Sequence, residues 1–504
     1  MKKYLIALDQ GTTSSRAVLF DLQGRMIAQY GMEFPQIYPK PGWVEHDPAA
    51  ILSTQRESLR LLVAQTKIDP QEIAAIGIAN QRETAVLWDK QTGEPVYHAI
   101  VWQCRRTAPI VEKLVADGMK EYIRSVTGLI ADAYFAGTKL KWLLDLPGVR
   151  ERAQRGELCF GTIDTFLAWN LLEGHPHITD AANASRTMLM DLRTLQWDET
   201  LLNALEIPRS VLPEIVENAR FMGALRKEIL GVPVPVCAMC GDQQSSLFGQ
   251  ACCRPGMMKN TYGTGCFLLM NTGTTPVVSR SGLLTTVAWR AQGQTHYALE
   301  GSVFVGGAVV QWLRDEMGLI ASAQESEAVA LSIPDNGGVY LVPAFTGLGA
   351  PHWDMYARGT VVGLTRGTGR AHLVRAALES IAQQSADLID AMADDCGFRP
   401  HALRADGGAC ANGFLMQFQA DLLGLTVERP PVIETTARGA AMMAGMAAGV
   451  LTYDEIMNHW QCERAFVPQM EAKARDALRG EWRRAVARAK GWEAREGDEM
   501  PSSS

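Results

Sequence analysis

The amino-acid sequence predicts an α/β protein with at least two domains. The chain has 504 residues, more than a single hydrophobic core usually supports. Short apolar runs typical of strands alternate with amphipathic helical segments. In addition, a strand, a glycine turn and a second strand occur near the N-terminus and again, about half the chain later, at residues 257–270.

The first half of the chain contains clear strand and helix signals. Asp47 and Pro48 are typical of a helix start, because Asp caps the first turn and Pro suits the first helical position. We expect this helix to end near residue 63. Apolar runs bounded by turn residues predict strands at residues 4–8, 17–20, 26–34, 73–79, 84–88 and 99–102.

The second half repeats this order of elements. An amphipathic helix is expected to end at Gly397, and the small residues of 439–451 predict a tightly packed core helix. Strands are expected at residues 257–261, 266–270 and 403–406, with a further helix that ends at residue 423. We predict a first lobe at residues 1–250, a second lobe at residues 251–492 and a disordered polar tail at residues 493–504.

The composition argues against several classes of protein. The net charge is -7 and the pI about 5.8, whereas a nucleic-acid binder usually presents a basic face. We expect neither a secretory signal nor a membrane span, because no apolar run is long enough for either. The ten cysteines lack the spacing of a disulfide framework or a zinc site, so reduced thiols and a cytoplasmic protein are expected.

The turn after the first predicted strand carries groups suited to a nucleotide phosphate. Gly11 allows close approach of the backbone, and Thr12, Thr13 and Ser14 offer hydroxyl donors. Asp9 precedes the turn, and a carboxylate suits that place if Mg²⁺ lies between it and the phosphate. The same segment is also compatible with an ordinary polar hairpin turn, and both interpretations stay open at this point.

Two later glycine turns resemble the first. Gly263-Thr264-Gly265 lies between two predicted strands, and Gly407-Gly408 follows a short strand and precedes a helix. A backbone without side chains lets a base or ribose lie close, and a helix start favours phosphate. One such turn is a weak signal, but three in this context indicate a nucleotide held between two lobes.

Polar residues at predicted strand ends are candidates for phosphoryl transfer to an alcohol, which needs a base and orienting donors. Arg82-Glu83 and Asp242-Gln243 each occur at such an end. The Asp of the second pair is either that base or a helix cap, and the cap is the more frequent case from spacing alone. Trp102 and Phe267 are aromatic residues near strand ends. Each either packs against the carbon skeleton of a small substrate or belongs to the hydrophobic core.

Longer motifs resemble those of the FGGY family of carbohydrate kinases and, within it, the glycerol kinases. The resemblance covers roughly residues 4–470, with the motifs in the same order. It implies the actin-like (ribonuclease H-like) ATPase fold, in which two lobes, each a mixed sheet flanked by helices, enclose a cleft. The motifs are residues 9–16, 80–84, 134–142, 183–189, 241–244, 262–267, 343–351, 406–409 and 414–421.

By position, the resemblance also implies roles for individual residues. Asp242 would be the general base on a terminal hydroxyl of glycerol, and Asp9 would lie near Mg²⁺, through water. The polyol would be bound by Arg82, Glu83, Trp102, Tyr134, Asp242, Gln243 and Phe267. The nucleotide would be bound by Thr12, Thr13, Ser14, Arg16, Thr264, Gly307, Gln311, Gly408 and Asn412.

The implied activity is phosphorylation of glycerol by ATP to sn-glycerol 3-phosphate and ADP, with Mg²⁺. A kinase of another small polyol or ketose and a non-enzymatic actin-like ATPase stay open as alternatives. We expect a homodimer or homotetramer. The chain departs from the family at Gly413, where many relatives have Asn. Residues 226–235 lack the loop that binds fructose 1,6-bisphosphate and the histidine phosphorylated in some bacterial relatives, so neither control is expected.

Overall fold

A computed structural model describes residues 2–493, so the predicted tail lies outside the described residues apart from residue 493. The strands in this range are β1 Tyr4–Gln10, β2 Ser14–Asp21, β3 Met26–Glu33, β4 Glu45–His46, β5 Ile73–Asn80, β6 Val86–Asp89, β7 Ala99–Ile100, β8 Leu158–Gly161, β9 Ile178–Asp180, β10 Met190–Asp191, β11 Gln196–Trp197, β12 Glu214–Val216, β13 Ala219–Ala224, β14 Pro235–Gly241, β15 Met257–Tyr262, β16 Cys266–Gly273, β17 Leu284–Ala291, β18 Gln294–Val303, β19 Tyr340–Val342, β20 Thr360–Val362, β21 Ala402–Asp406, β22 Val427–Arg429 and β23 Arg464–Phe466.

The α-helices in the same range are α1 Pro48–Thr66, α2 Ala108–Ala116, α3 Lys120–Thr127, α4 Ala136–Leu144, α5 Val149–Gln154, α6 Ile163–Leu171, α7 Ala181–Ala184, α8 Glu199–Ala204, α9 Lys227–Leu230, α10 Asp242–Gly249, α11 Ala308–Asp315, α12 Glu325–Leu331, α13 Arg370–Cys396, α14 Gly413–Leu423, α15 Thr435–Ala447, α16 Tyr453–Asn458 and α17 Ala472–Ala489.

In residues 2–493 the main sheet has thirteen strands, and ten of them form two halves with the same pattern. The strand order is β3-β2-β1-β5-β14 in the first half and β18-β16-β15-β21-β22 in the second. In each half, the first two pairs of neighbours are antiparallel and the last two are parallel. The halves are joined between β13 and β17 by a single residue pair, Ala219 with Ala291. The strand–turn–strand repeat predicted from the sequence is thus part of a larger repeat in topology.

Strands β1 and β5 form the centre of the first half and are almost entirely buried. Because strands buried on both faces need apolar side chains on both, their sequences are nearly continuous apolar runs. Helix α1 contacts the neighbouring strand β2. It begins at Pro48, and the carboxylate of Asp47 accepts a hydrogen bond from the amide of Ala49, which confirms the predicted start.

Helix α15 packs backbone against backbone on the first half of the sheet. A Cβ atom on Gly77 of β5 would lie 2.1 Å from the carbonyl oxygen of Ala440. A Cβ atom on Gly439 would lie 1.8 Å from the carbonyl oxygen of Ser245 in α10. Glycine alone permits such approach, which explains the run of small residues. The predicted core helix is present, but it spans Thr435–Ala447 and not residues 439–451.

The predicted elements differ from the structure mainly at their ends. Strand β7 stops at Ile100, so Trp102 lies in a turn beyond the strand and not within it. The strand predicted from residue 84 begins only at Val86. After β21 a 3₁₀ turn, Gly408–Ala411, precedes α14, because the side chain of Asn412 accepts a hydrogen bond from a first-turn amide and starts a new helix.

None of the helices in residues 2–493 combines the length and hydropathy needed to cross a bilayer. All ten cysteines are free thiols, and eight of them are buried. Burial raises the pKa of several of these thiols, for example Cys237 to about 11, which makes them unreactive packing residues.

Candidate active site

Three parallel strands bring the predicted polar residues to one edge of the first half-sheet. Gln10 at the end of β1 pairs with Asn80 at the end of β5, and Asn80 pairs with Gly241 at the end of β14. The three strands therefore end side by side, at the edge where α/β sheets usually bind ligands. The segments that leave the sheet at this edge are residues 11–14, 81–83 and 242–243.

Arg82 is the centre of a buried set of charges. It is 3% exposed, and its two terminal nitrogens donate to the two carboxylate oxygens of Glu300 at 2.6 and 2.9 Å. Its Nε lies 3.3 Å from Oδ1 of Asp242. Burial would raise the pKa of Glu300, but Arg186 and Arg82 lower it to about 2. Glu300 is thus ionised and holds Arg82 in position beside Asp242.

Asp242 is more accessible than the other carboxylates that contact Arg82. Its side chain is 29% exposed, against 1% for Glu83 and 0% for Glu300. Burial raises the pKa of Asp242, and the opposing effect of Arg82 does not cancel this rise. A carboxylate that a substrate can reach and whose pKa is raised suits a general base.

The alternative interpretation of Asp242 as a helix cap is wrong. The cap position of α10 is occupied by Gly241, and Asp242 is the first residue within the helix. Its Oδ1 accepts a hydrogen bond of 2.7 Å from the adjacent amide of Gln243 and makes no N-cap bond. The other carboxylate oxygen remains available for a ligand or water at this edge of the sheet.

Glu83 and Tyr134 lie beside a second buried arginine, Arg186. Its Nε donates to Glu83 at 2.6 Å, and its guanidinium carbon lies 5.7 Å from the centre of the Tyr134 ring. Glu83 has a φ of 61°, in the left-handed region, and the bond from Arg186 holds it there. Burial raises the pKa of Tyr134, so its hydroxyl stays protonated and can donate a hydrogen bond.

Trp102 connects these residues to the first glycine turn. Its indole N–H donates to the hydroxyl of Thr12 at 3.1 Å, and its ring is perpendicular to that of Tyr134 with the centres 5.7 Å apart. The amide of Gly11 donates to the carbonyl oxygen of Ser14 at 2.9 Å and closes the turn. The predicted phosphate turn and the predicted polyol residues are therefore in direct contact.

Asp9 and Arg16 form an ion pair at the base of this turn. Arg16 contacts Asp9 at 2.5 Å and Glu434, which precedes α15, at 2.9 Å. Burial raises the pKa of Asp9, and Arg16 opposes this. The described residues contain no cluster of three or more His, Cys, Asp or Glu side chains that could hold a metal unaided. Mg²⁺, however, commonly takes one carboxylate together with phosphate oxygens and water, and the buried Asp9 carboxylate fits that pattern.

Contacts around Gln243 and Phe267 connect the second half of the sheet to the start of α10. The fully buried Lys259 of β15 donates to the amide oxygen of Gln243 and, at 2.8 Å, to the hydroxyl of Thr261. Thr261 pairs with Phe267 of β16, whose side chain is half-buried. Residues of β15 and β16 thus lie against the start of α10.

A separate cavity of about 400 Å³ lies in the second half of the molecule. Part of its lining is closely packed backbone: the amide of Gly307 donates to the carbonyl oxygen of Gly263 at 2.8 Å, and a Cβ atom on Gly307 would clash with that oxygen. A Cβ atom on Gly408, in contrast, would meet no protein atom within 4 Å. All five nucleotide residues predicted in this half line the cavity: Thr264, Gly307, Gln311, Gly408 and Asn412.

The departure at Gly413 lies next to this cavity. A Cβ atom there would lie 2.7 Å from the carboxylate of Glu327, which lines the cavity. Asn412 keeps its place, with its amide oxygen capping α14 and its Nδ2 donating to Ser326 at 3.2 Å. In this chain a carboxylate from α12 therefore occupies the space into which a side chain at residue 413 would project.

The predicted site residues thus fall into two groups. The substrate residues gather at the edge of the first half-sheet together with the first glycine turn, in which Thr13 is exposed. The second-half nucleotide residues line the cavity. The predicted nucleotide residues that do not line this cavity are Thr12, Thr13, Ser14 and Arg16.

Three residues of the buried charge set were not predicted from the sequence: Arg186, Lys259 and Glu300. Each is 0% exposed. Lys259 and Glu300 lie at buried positions of strands β15 and β18. A charged residue in a buried strand must find an opposite charge, and this signal could have marked both positions as part of a site.

The chain is similar to known proteins over almost its whole length. The N-terminal domain model of the FGGY family of carbohydrate kinases matches residues 4–249, and its C-terminal domain model matches residues 258–448. The glycerol kinase of Symbiobacterium thermophilum is 58% identical to this chain, with 98% of this chain and 99% of the relative covered. Glycerol kinase 2 of Thermotoga maritima is 56% identical, with 98% of this chain and 100% of the relative covered.

A solved structure is similar over nearly the whole length. The glycerol kinase of Plasmodium falciparum, crystallised with ADP, has a TM-score of 0.92 and 36% identity, with 96% of this chain and 98% of that chain covered. The expected fold class, the two-lobed actin-like ATPase fold, is thereby confirmed. The chain belongs to the FGGY family of carbohydrate kinases and, within that family, to the glycerol kinases.

Proposed function

We propose that this protein transfers the terminal phosphoryl group of ATP to glycerol, giving sn-glycerol 3-phosphate and ADP. The observation that carries the proposal is the juxtaposition of Asp242, Arg82 and Glu83 with the turn at residues 11–14 along one sheet edge. The high identity to curated glycerol kinases over the full chain supports the same activity.

In the proposed reaction, Asp242 accepts the proton of a terminal hydroxyl as its oxygen attacks the phosphoryl group. The raised pKa makes the ionised Asp242 carboxylate a better proton acceptor than an ordinary aspartate. Arg82 lies 3.3 Å away and orients the carboxylate, because Glu300 fixes its other nitrogens. The product alcohol oxygen keeps the transferred phosphoryl group, and ADP leaves.

Glycerol is small and carries a hydroxyl on every carbon, so a site that pairs each hydroxyl can reject analogues that lack one. We propose that Arg82, Glu83, Tyr134 and Gln243 pair with these hydroxyls. The half-buried aromatic rings of Trp102 and Phe267 would limit the length of the carbon chain.

The nucleotide is proposed to extend from the cavity in the second half to the first glycine turn. Gly307 and Gly408 offer bare backbone to the nucleoside, and Thr12, Thr13, Ser14 and Arg16 would contact the terminal phosphates. Mg²⁺ held by Asp9 through water would neutralise the charge on those phosphates. In this proposal the phosphates lie next to the polyol, because Thr12 of the phosphate turn is hydrogen-bonded to Trp102 of the proposed polyol site.

The proposal predicts strict dependence of ADP formation on glycerol. We would measure ADP with a coupled assay for glycerol, longer polyols and ketoses, and identify the product by phosphorus NMR. Preference for another polyol or ketose would favour the alternative kinase. ADP formation without any phosphorylated acceptor would favour the non-enzymatic actin-like ATPase.

Three further properties are proposed. Cytoplasmic location suits an enzyme that uses ATP and has ten free thiols. A homodimer or homotetramer is expected and can be measured by analytical ultracentrifugation. The division into lobes at residues 1–250 and 251–492 can be tested by limited proteolysis.

Control by fructose 1,6-bisphosphate or by histidine phosphorylation is expected to be absent, as residues 226–235 contain neither feature. Titration of fructose 1,6-bisphosphate into the coupled assay tests the first expectation. Strong inhibition would contradict it. Incubation with a bacterial phosphotransferase system and mass spectrometry tests the second, and a phosphorylated histidine would contradict it.

A further inference from the structure

A second cavity, of about 260 Å³, lies away from the residues assigned to glycerol and ATP. One wall is the tight turn between β2 and β3, and the opposite wall is formed by the segment before α15, by α15 and by the chain after α16. Its volume would accommodate a group of a few atoms. The lining residues used below are Gly24, Arg25, Arg438, Asn458, His459 and Trp460.

Arg438 is a buried cation without a counter-ion. It is 6% exposed, and none of the ion pairs within residues 2–493 includes it. One terminal nitrogen donates to the carbonyl oxygen of Gly249, and the other, Nη2, has no hydrogen-bond partner among the described residues. Burial lowers the pKa of Arg438 to about 10, and the nearby Arg404 adds to this effect. A buried charge in this condition lacks the pairing that such groups normally require.

The surroundings of Arg438 also favour an anion. It lies in the first turn of α15, where the helix dipole disfavours a positive charge and favours a negative one. His459 also lines the cavity, and its Nδ1 has no partner in the described part of the chain. Trp460 lines the cavity, and the guanidinium carbon of Arg404 lies 3.5 Å from the centre of its ring. No aspartate or glutamate lines the cavity in the described residues.

The carboxylates near the cavity are already paired. Asp21 binds the rim residue Arg25 at 2.7 Å, and Glu428 binds Arg404 at 3.0 Å. The approach to Arg438 is set by Gly24, whose φ is 75° and whose Cβ, if present, would lie 3.2 Å from the guanidinium Nε. The turn therefore lies against the guanidinium of Arg438, while Nη2 has no hydrogen-bond partner among the described residues.

We propose that this cavity is a second anion-binding site, which takes a small oxyanion such as phosphate or the phosphate group of a phosphate ester against Arg438. The ligand would join the β2–β3 turn to the start of α15. The segment before α15, which lines the cavity, also includes Glu434, and Glu434 pairs with Arg16 beside the first glycine turn. The same segment therefore contacts both the second cavity and the proposed phosphate site.

Calorimetric titration of the full chain would test the proposal independently of the proposed activity. Glycerol, Mg²⁺ and a non-hydrolysable ATP analogue are present at saturation, so that the catalytic phosphate site is blocked. Inorganic phosphate and glycerol 2-phosphate are titrated separately, and the tighter of the two identifies free phosphate or a phosphate ester as the ligand class. We expect one equivalent to bind per chain. Absence of binding by both probes would overturn the proposal.

Two variants locate the site. Arg438→Met should weaken phosphate binding by about tenfold or more, the effect of losing a charge-assisted hydrogen bond. Because Arg438 is buried, the exposed Asn458 on the rim provides a second variant: Asn458→Glu adds a competing carboxylate and should weaken binding similarly. The matched control is Asn203→Glu, at an exposed position in α8, which should bind phosphate like the wild type.

A purely structural role for Arg438 makes a different prediction. It would lower the Tm of Arg438→Met while leaving the phosphate affinity of both variants unchanged, and this result would overturn the proposal. Loss of the glycerol kinase activity in the coupled assay, with phosphate binding intact at the second site, would refute only the proposed function.

Discussion

The two halves of the main sheet share a strand order, but they present different chemistry at their edges. The first half presents charged side chains: Arg82 and Asp242 lie 3.3 Å apart where the parallel strands end. The second half presents bare backbone at Gly307 and Gly408, beside an open cavity. Proton transfer needs a directed charge, which a side chain provides, whereas a nucleoside needs space and close approach, which glycine provides.

The buried charges around Arg82 balance, and this leaves Asp242 as the one additional carboxylate. Arg82 binds Glu300, and Arg186 binds Glu83 and also reaches Glu300. These two cations and two anions are buried and neutralise each other, and the third buried cation of this set, Lys259, lies beside Gln243. Asp242 is the additional acid, and it alone of the three carboxylates has substantial exposure. The buried set therefore holds the geometry, and the exposed carboxylate is left to act on a substrate.

The largest expected effect follows from removing that exposed charge. Asp242→Asn keeps the side-chain shape but cannot accept the proton, so turnover should fall by roughly a hundredfold or more. Isothermal calorimetry should show nearly unchanged binding of an ATP analogue, because the nucleotide cavity is separate. The control is Asp198→Asn, at the cap of α8, which should retain full turnover. Turnover of Asp242→Asn within a factor of about three of the wild type, well short of a general base's contribution, would exclude this role.

A second large effect should appear in stability. Glu300→Gln removes the carboxylate that two buried arginines share, and breaking a buried pair in this way costs about 3 kcal/mol or more of unfolding free energy. Urea unfolding measures the difference. Glu199→Gln breaks the exposed pair with Arg209, and it should cost less than about 1 kcal/mol. Equal costs at the two positions would show that the buried set does not hold the two halves of the sheet together.

The comparison also shows what the sequence alone could predict. The strand–turn–strand units were recognisable because apolar runs and glycine turns are local signals, and the helix start at Asp47 was a local signal as well. Glu300 could not be assigned, because its partner Arg82 is 218 residues away and the register between the half-sheets fixes their meeting. The roles of Asp242 and Tyr134 rested on resemblance, since spacing alone favoured a cap for the first of them.

In the second half, two glycine-to-alanine substitutions should distinguish a methyl group that blocks the nucleotide from one that strains the protein. Gly408→Ala places a methyl group in open space, so the Tm should not change while the KM for ATP rises by about tenfold. Gly307→Ala serves as the contrast, because its Cβ would lie 2.8 Å from the carbonyl oxygen of Gly263 and should lower both ATP affinity and Tm. An unchanged KM for ATP in Gly408→Ala would place the nucleotide elsewhere.

The smallest effect is expected in the pH dependence, and it concerns only the first half. Asp242 must be ionised to accept a proton, and burial raises its pKa above that of an ordinary aspartate. As the pH falls, kcat/KM for glycerol should therefore decline before ordinary aspartates become protonated. The Kd of the ATP analogue, measured without Mg²⁺ so that the raised pKa of Asp9 does not contribute, should change less. The pKa of Glu300 is lowered to about 2. The stability that its ionised form contributes is therefore fully present above the usual pKa of 4.5 and is lost as the pH falls toward 2. Glu300 does not confound the profile above pH 4.5. Circular dichroism at each pH confirms that the chain remains folded, and a parallel decline of kcat/KM and ATP-analogue binding would contradict the division of labour between the two halves.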